Sequence, residues 1–165
     1  MKIKNYKGFT LIEMIVAVAI VAILTTTAIA ALNPATQFKK ANDARRKTDM
    51  SQIQKALELY YGDAVPEQYP ANNGTYQIIK ADGTALVWGS SWQPYINVVP
   101  KDPASPRKRY VYYRLDGQHY CIYASLDMIA NSDKCINTST PCNTNLCGVP
   151  GATCNFGVCS PNVSP

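Results

Sequence analysis

Residues 9–32 hold a single charged side chain, Glu13, in twenty-four positions, and no other stretch restricts the possible folds as strongly. At a helical rise of about 1.5 Å per residue the run is long enough to cross a hydrocarbon core about 30 Å thick. Lys2, Lys4 and Lys7 stand immediately before it. Positive flanks stay on the cytoplasmic side, so residues from 33 onward are expected outside. A secretory signal is the competing reading, with Ala28-Ile29-Ala30 as a small-x-small cleavage site. Against it, the run exceeds the roughly 7–15 apolar residues usual in such signals. It also carries an acid near its cytoplasmic end. A carboxylate in hydrocarbon costs on the order of 2.5–3.5 kcal/mol, so Glu13 is read as a functional residue by default.

The far end of the 165-residue chain has the opposite character: residues 135–165 contain no Asp, Glu, Lys, Arg or His but hold five of the six cysteines. That density points to disulfides and an oxidising compartment, which excludes a simple cytosolic enzyme. The formal net charge is +5, three units of it from Lys2, Lys4 and Lys7. The remainder is too weakly basic to argue for nucleic acid.

Lys7-Gly8-Phe9-Thr10-Leu11-Ile12-Glu13 resembles the processing site of the type IV pilin superfamily, where a short basic leader ends in Gly. The resemblance implies a membrane-embedded aspartyl peptidase that cuts after Gly8 and methylates Phe9. It also implies that Glu13, fifth in the mature chain, faces the amino terminus of a neighbouring subunit and neutralises two charges buried in a helical filament. Physical chemistry agrees, because a partner cation removes much of the cost of a lone charge in an apolar bundle. Ala44-Arg45-Arg46-Lys47-Thr48-Asp49, Leu59-Tyr60-Tyr61, Tyr69-Pro70, Pro94-Tyr95-Ile96 and Val99-Pro100-Lys101-Asp102-Pro103 are similar to the major pseudopilins of type II secretion and to related pilins. The cysteine-rich tail after residue 134 departs from the pseudopilin pattern.

Pro34 follows the apolar run and is expected to kink a continuous helix or unwind it locally. Phe38, Ala41, Met50, Ile53, Leu57 and Tyr60 recur at helical spacing, so residues 35–61 read as an amphipathic helix packed on a sheet. The charged cluster from Lys39 to Asp49 reads as a solvated face, with Asp43/Lys47 and Arg45/Asp49 as weak i,i+4 pairs. Residues 75–79 and 84–88 flank Lys80-Ala81-Asp82-Gly83, a candidate hairpin turn. Residues 109–115 and 118–124 flank Asp116-Gly117, a stronger one. Tyr110, Tyr112, Tyr113, Tyr120 and Tyr123 then give the sheet an aromatic core rather than a ligand platform. The loop 101–109 reads as a solvated connection; capture of DNA phosphates by Arg107, Lys108 and Arg109 is the alternative, which we do not favour.

Cys142-Asn143-Thr144-Asn145-Leu146-Cys147 and Cys154-Asn155-Phe156-Gly157-Val158-Cys159 form a repeat displaced by 12 residues. Structural zinc favours shorter spacing, so disulfides are preferred. Their order cannot be read from sequence, although Cys135 is the nearest partner of Cys121. A stapled tail, poor in regular structure, is expected on the exterior rather than in the sheet's core. Asp116, Asp127, Asn131 and Asp133 are oxygen donors of the kind that suits calcium. Major pseudopilins bind calcium in a comparable loop, but the spacing of these four matches no ligand motif residue by residue, so they read first as solvated turn carboxylates and the metal stays open. His119 is the only histidine, which excludes a multi-histidine metal site, and no enzymatic constellation stands out. No other cofactor is expected.

The expected fold is α+β and pilin-like: leader 1–8, membrane-spanning and polymerisation helix 9–32, head 33–134 with an amphipathic helix on a small antiparallel sheet, and disulfide-rich tail 135–165. The resemblance implies a structural, non-enzymatic subunit of a helical homo-oligomer, a type IV pilus-like filament with roles in adhesion, motility or DNA uptake. Its partners would be the prepilin peptidase/methyltransferase, the pilus assembly platform and, before assembly, the inner membrane. From there the subunit would pass to a filament on the cell surface. The alternative is the major pseudopilin of a type II secretion system.

Overall fold

The computed structural model describes residues 8–128, 130, 135, 141–149 and 152–161. The chain separates into two compact units that meet between Phe38 and Lys39.

In the first unit, helix α1 (Leu11–Leu32) begins at Thr10. Its segment Leu11–Ile29 has a mean hydropathy of 2.4, and none of it is buried within the chain. Thr25, Thr26 and Thr27 interrupt the apolar run, but each hydroxyl donates to a carbonyl one turn back, Thr25 to Val21 at 2.8 Å and Thr26 to Ile23 at 2.8 Å. Side chains satisfied in this way carry no open hydrogen-bonding demand into a membrane. α1 stops at Asn33, whose φ of 41° is left-handed, a conformation Asn tolerates at helix ends. The Asn33 carbonyl then accepts the N–H of Thr36 at 3.0 Å, so the same residue ends α1 and opens helix α2 (Pro34–Asp63). Proline at the first helical position loses no bond there. The expected kink is thus a helix stop and restart.

In the second unit, Met50, Ile53, Ala56 and Leu57 of α2 are buried, with Tyr60 partly so. Phe38 and Ala41 instead stand exposed, which corrects the expected stripe. Helical spacing carries the buried face on through Asp49, Arg46 and Asp43, three of the charges assigned to a solvated face. Their burial is possible because they neutralise one another, as described below.

Strands β1 (Val111–Arg114) and β2 (Tyr120–Ala124) pair antiparallel with Arg114 opposite Tyr120. The N–H of Leu115 donates to the carbonyl of His119 at 2.9 Å, leaving a three-residue turn rather than the expected Asp116-Gly117 pair. A two-residue type I′ turn needs positive φ at both positions, and neither residue adopts it. The Asp116 carboxylate instead accepts the Gln118 N–H at 2.7 Å and meets His119 Nδ1 at 2.8 Å, which sets the longer turn. His119 therefore closes the turn instead of lying within the strand expected over 118–124. The earlier hairpin survives as local pairing, with Lys80 and Thr84 bonded at 2.9 Å across Gly83 and isolated bridges in place of full strands.

The third strand, β3 (Phe156–Cys159), comes from the cysteine-rich tail and pairs antiparallel with β2, which becomes central. This overturns the expectation that the tail stays out of the sheet. Alternation along the strands sends Tyr110, Tyr112, Tyr120 and Ile122 into the core with α2, Ile78, Leu86 and Trp92. Val111, Cys121 and Tyr123 point to the opposite face, where the other five cysteines cover them. Both faces of the sheet are thus buried, which explains why so many of its side chains are apolar or aromatic.

Candidate functional site

Two places collect the chemistry of the chain: the start of α1 and a buried ionic cluster on α2. At the first, Gly8, Phe9 and Glu13 are all exposed. The Glu13 N–H donates to Thr10 Oγ1 at 3.3 Å, and the Thr10 N–H donates to Glu13 Oε2 at 3.4 Å. This is a capping box, in which two otherwise unpaired N–H groups at a helix start are satisfied reciprocally. Thr-x-x-Glu is the sequence signal for it, a second meaning of Glu13 beside its lone charge. Glu13 therefore has a local structural role beside any role in assembly.

At the second place, the Arg46 guanidinium has no exposed surface. Nε donates to Asp102 Oδ2 at 2.9 Å and Nη2 to Asp102 Oδ1 at 3.2 Å, while Nη1 donates to Asp43 at 2.7 Å and to Asp127 at 2.8 Å. Burial opposes the Arg46 charge, but these three carboxylates outweigh it and raise its pKa. Asp43 also accepts the N–H groups of Asp127 at 2.9 Å and Met128 at 2.7 Å. Lys108 Nζ donates to Asp127 Oδ1 at 2.7 Å and to the Ser125 carbonyl at 3.0 Å. Partial burial works against the Asp127 carboxylate, yet Lys108 and Arg46 hold its pKa below the ordinary value. The cluster ties α2, the basic loop and the segment after β2 into one unit. Only the i,i+3 spacing of Asp43 and Arg46 hinted at it, since Asp102 and Asp127 lie far away in sequence.

A calcium site built on the expected carboxylates does not match these contacts. Both oxygens of Asp127 already face protein cations, and Asp116 is engaged by Gln118 and by His119, whose hydrogen bond lowers its pKa. Asn131 and Asp133 lie outside the described residues. Among the described residues no group of three or more candidate ligands converges. The basic loop is also less solvated than expected. Lys108 is held as above, Arg109 Nε donates to the Leu146 carbonyl at 2.8 Å, and of the three only Arg107 is exposed without a side-chain partner among the described residues.

Three phenols extend the polar layer inward. Tyr110 donates to Asp49 at 2.7 Å, and Tyr69 and Tyr120 both donate to Glu58, at 2.9 and 3.1 Å. Burial first, and the neighbouring carboxylates next, raise all three pKa values.

All six cysteines are bridged, as Cys121–Cys159, Cys135–Cys142 and Cys147–Cys154. The nearest-partner pairing of Cys121 with Cys135 is therefore wrong. Strand register decides the outcome, because Cys121 and Cys159 stand directly opposite on β2 and β3. Neither copy of the C-N-x-x-[LV]-C repeat closes on itself; Cys147–Cys154 joins one copy to the other.

Comparison with known families gives two matches. The prokaryotic N-terminal methylation motif matches residues 3–29. The family described as type II secretion system (T2SS), protein G matches residues 33–128. No curated protein and no solved structure matches the chain.

Proposed function

Since the chain belongs to the type II secretion system protein G family, within the superfamily of prepilin-type pilins and pseudopilins, we propose that it is the structural subunit of a type IV pilus-like filament. One observation carries this: the apolar helix α1 opens at Thr10, directly after Gly8-Phe9, with none of Leu11–Ile29 buried within the chain, and leads into a head that forms a separate compact unit. Cleavage after Gly8 keeps that helix in the mature chain, where it first lies in the cytoplasmic membrane and then packs with other copies in the filament. Glu13 sets the register between subunits. The subunit's role is mechanical rather than enzymatic, and its partners are the prepilin peptidase/methyltransferase, the assembly platform and other copies of itself. The tail supports a filament exposed at the cell surface, because its three disulfides cover one face of the sheet and protect the head outside the cell.

The match over residues 33–128 favours a second reading, the major pseudopilin of a type II secretion system. Mass spectrometry of the mature amino terminus tests the common premise. A chain starting at methylated Phe9 is expected, and one starting at Ala31 would overturn both readings. Imaging then separates them. Long surface filaments containing this chain support the pilus; short structures with loss of protein secretion on deletion support the pseudopilus.

A further inference from the structure

We propose that a cavity beside the ionic cluster binds a phosphate group. It has a volume of about 350 Å³ and is lined by Lys39, Asn42 and Arg46 of α2, Ala104, Arg107 and Lys108 of the basic loop, and Val149 and Ala152 of the tail, with Asp127 as its one acid. Four segments distant in sequence build it, and the tail wall is held in place covalently. Val149 and Ala152 lie inside the ring closed by Cys147–Cys154. The Val149 N–H donates to the Arg107 carbonyl at 3.0 Å, and the Arg109 N–H donates to the Cys147 carbonyl at 2.8 Å. Gly148 permits this close approach, since a Cβ there would stand 2.1 Å from the Arg107 carbonyl oxygen. The ring therefore fixes Arg107 at the rim.

Charge at the cavity favours an anion. Within the ionic cluster the carboxylates of Asp43, Asp102 and Asp127 exceed Arg46 and Lys108 by one charge, and Lys39 and Arg107 at the cavity rim turn that into a net excess of one positive charge. Lys39 and Arg107 remain, both exposed and without a side-chain partner among the described residues, with the Asn42 amide beside them. A forked guanidinium, an ammonium and an amide suit the several oxygens of a phosphate. Val149 and Ala152 offer an apolar wall to whatever the phosphate is attached to. The phosphate can come from a phospholipid head group or from a soluble phosphate.

The test uses the full-length chain in neutral-detergent micelles, with inorganic phosphate titrated in at constant ionic strength while the backbone amide resonances of Arg107, Lys108, Val149 and Ala152 are followed. Saturable shifts at millimolar phosphate are expected. The double variant Lys39→Gln/Arg107→Gln should raise the half-saturation concentration at least tenfold, whereas Lys55→Gln/Lys101→Gln should leave it unchanged. All four side chains are exposed, and equal unfolding midpoints confirm that the variants fold. A second arm replaces free phosphate with micelles doped with phosphatidylglycerol. If the lipid saturates the same resonances the source is a head group, and if only free phosphate does so it is soluble; both results uphold the site. Shifts that grow without saturating, equal losses in the two double variants, or silence toward both probes would overturn it.

Discussion

Arg46 and Asp102 form a two-pronged ion pair, 2.9 and 3.2 Å long, with neither side chain exposed to solvent. A guanidinium matches a carboxylate in this planar fork as no ammonium can. Removing one member of a buried pair leaves the other charged and desolvated, at a cost of about 3–5 kcal/mol. Arg46→Ala should therefore lower the thermal midpoint of the head steeply, and Arg46→Lys should rescue only part of the loss. Its neighbour Arg45 is exposed and reaches Asp49 only at 4.0 Å, so Arg45→Ala should cost less than about 1 kcal/mol. Equal losses at the two positions would show that the fork contributes nothing special.

Asp127 should make the head sensitive to acid. Its pKa in the folded chain lies below the ordinary value, so the unfolded chain takes up the proton first. The stability it contributes is complete above the unfolded value of about 3.9 and is lost as pH falls through the folded one. A carboxyl-carbon NMR titration should place its midpoint below that of an unperturbed aspartate. Lys108→Met should move the midpoint upward while leaving Arg46 paired with Asp102. An Asp127 that titrates in the ordinary range in the unmodified protein would contradict both of its ion pairs.

The disulfides should differ in weight. Cys121–Cys159 spans 38 residues and Cys147–Cys154 spans 7. In the chain-entropy account, closing them restricts the unfolded chain by about 4 and about 2 kcal/mol respectively. Cys121→Ser/Cys159→Ser should thus destabilise more, and should release β3 from β2 so that proteolysis begins in the tail. The Cys147→Ser/Cys154→Ser variant should keep β3 paired. Proteolysis beginning in α2 or β1 of the first variant would show that β3 holds without its staple.

What the sequence disclosed follows from the range of the interactions involved. The apolar run and the Met50, Ile53, Leu57 stripe are local patterns, and each leads to the right element, while the equally local motif around Gly8-Phe9 leads to the right family. Asp116-Gly117 announced a hairpin within residues 109–124, but its loop length turned on one side chain, Asp116, bonding two residues ahead. The Arg46 cluster was hidden because its partners lie 56 and 81 residues away, and charges spaced along a helix look solvated until a loop brings their counterions. β3 was hidden for a similar reason: the four residues Phe156–Cys159 become a strand only when β2 offers an open edge. The cysteine pairing followed that register and so could not precede it.

Thr10 and Glu13 separate folding from assembly. Each completes the other's half of the capping box, so Thr10→Ala and Glu13→Ala should both weaken the start of α1 by about 1 kcal/mol. If Glu13 also pairs with the amino terminus of a neighbouring subunit, only its removal takes a charge out of the filament core. Glu13→Ala should then insert into membranes with an intact head yet form few or short filaments, while Thr10→Ala polymerises almost normally. Glu13→Gln, which retains a side-chain oxygen for the cap but no charge, should fail like Glu13→Ala. Normal filaments from Glu13→Gln would reduce Glu13 to a helix cap.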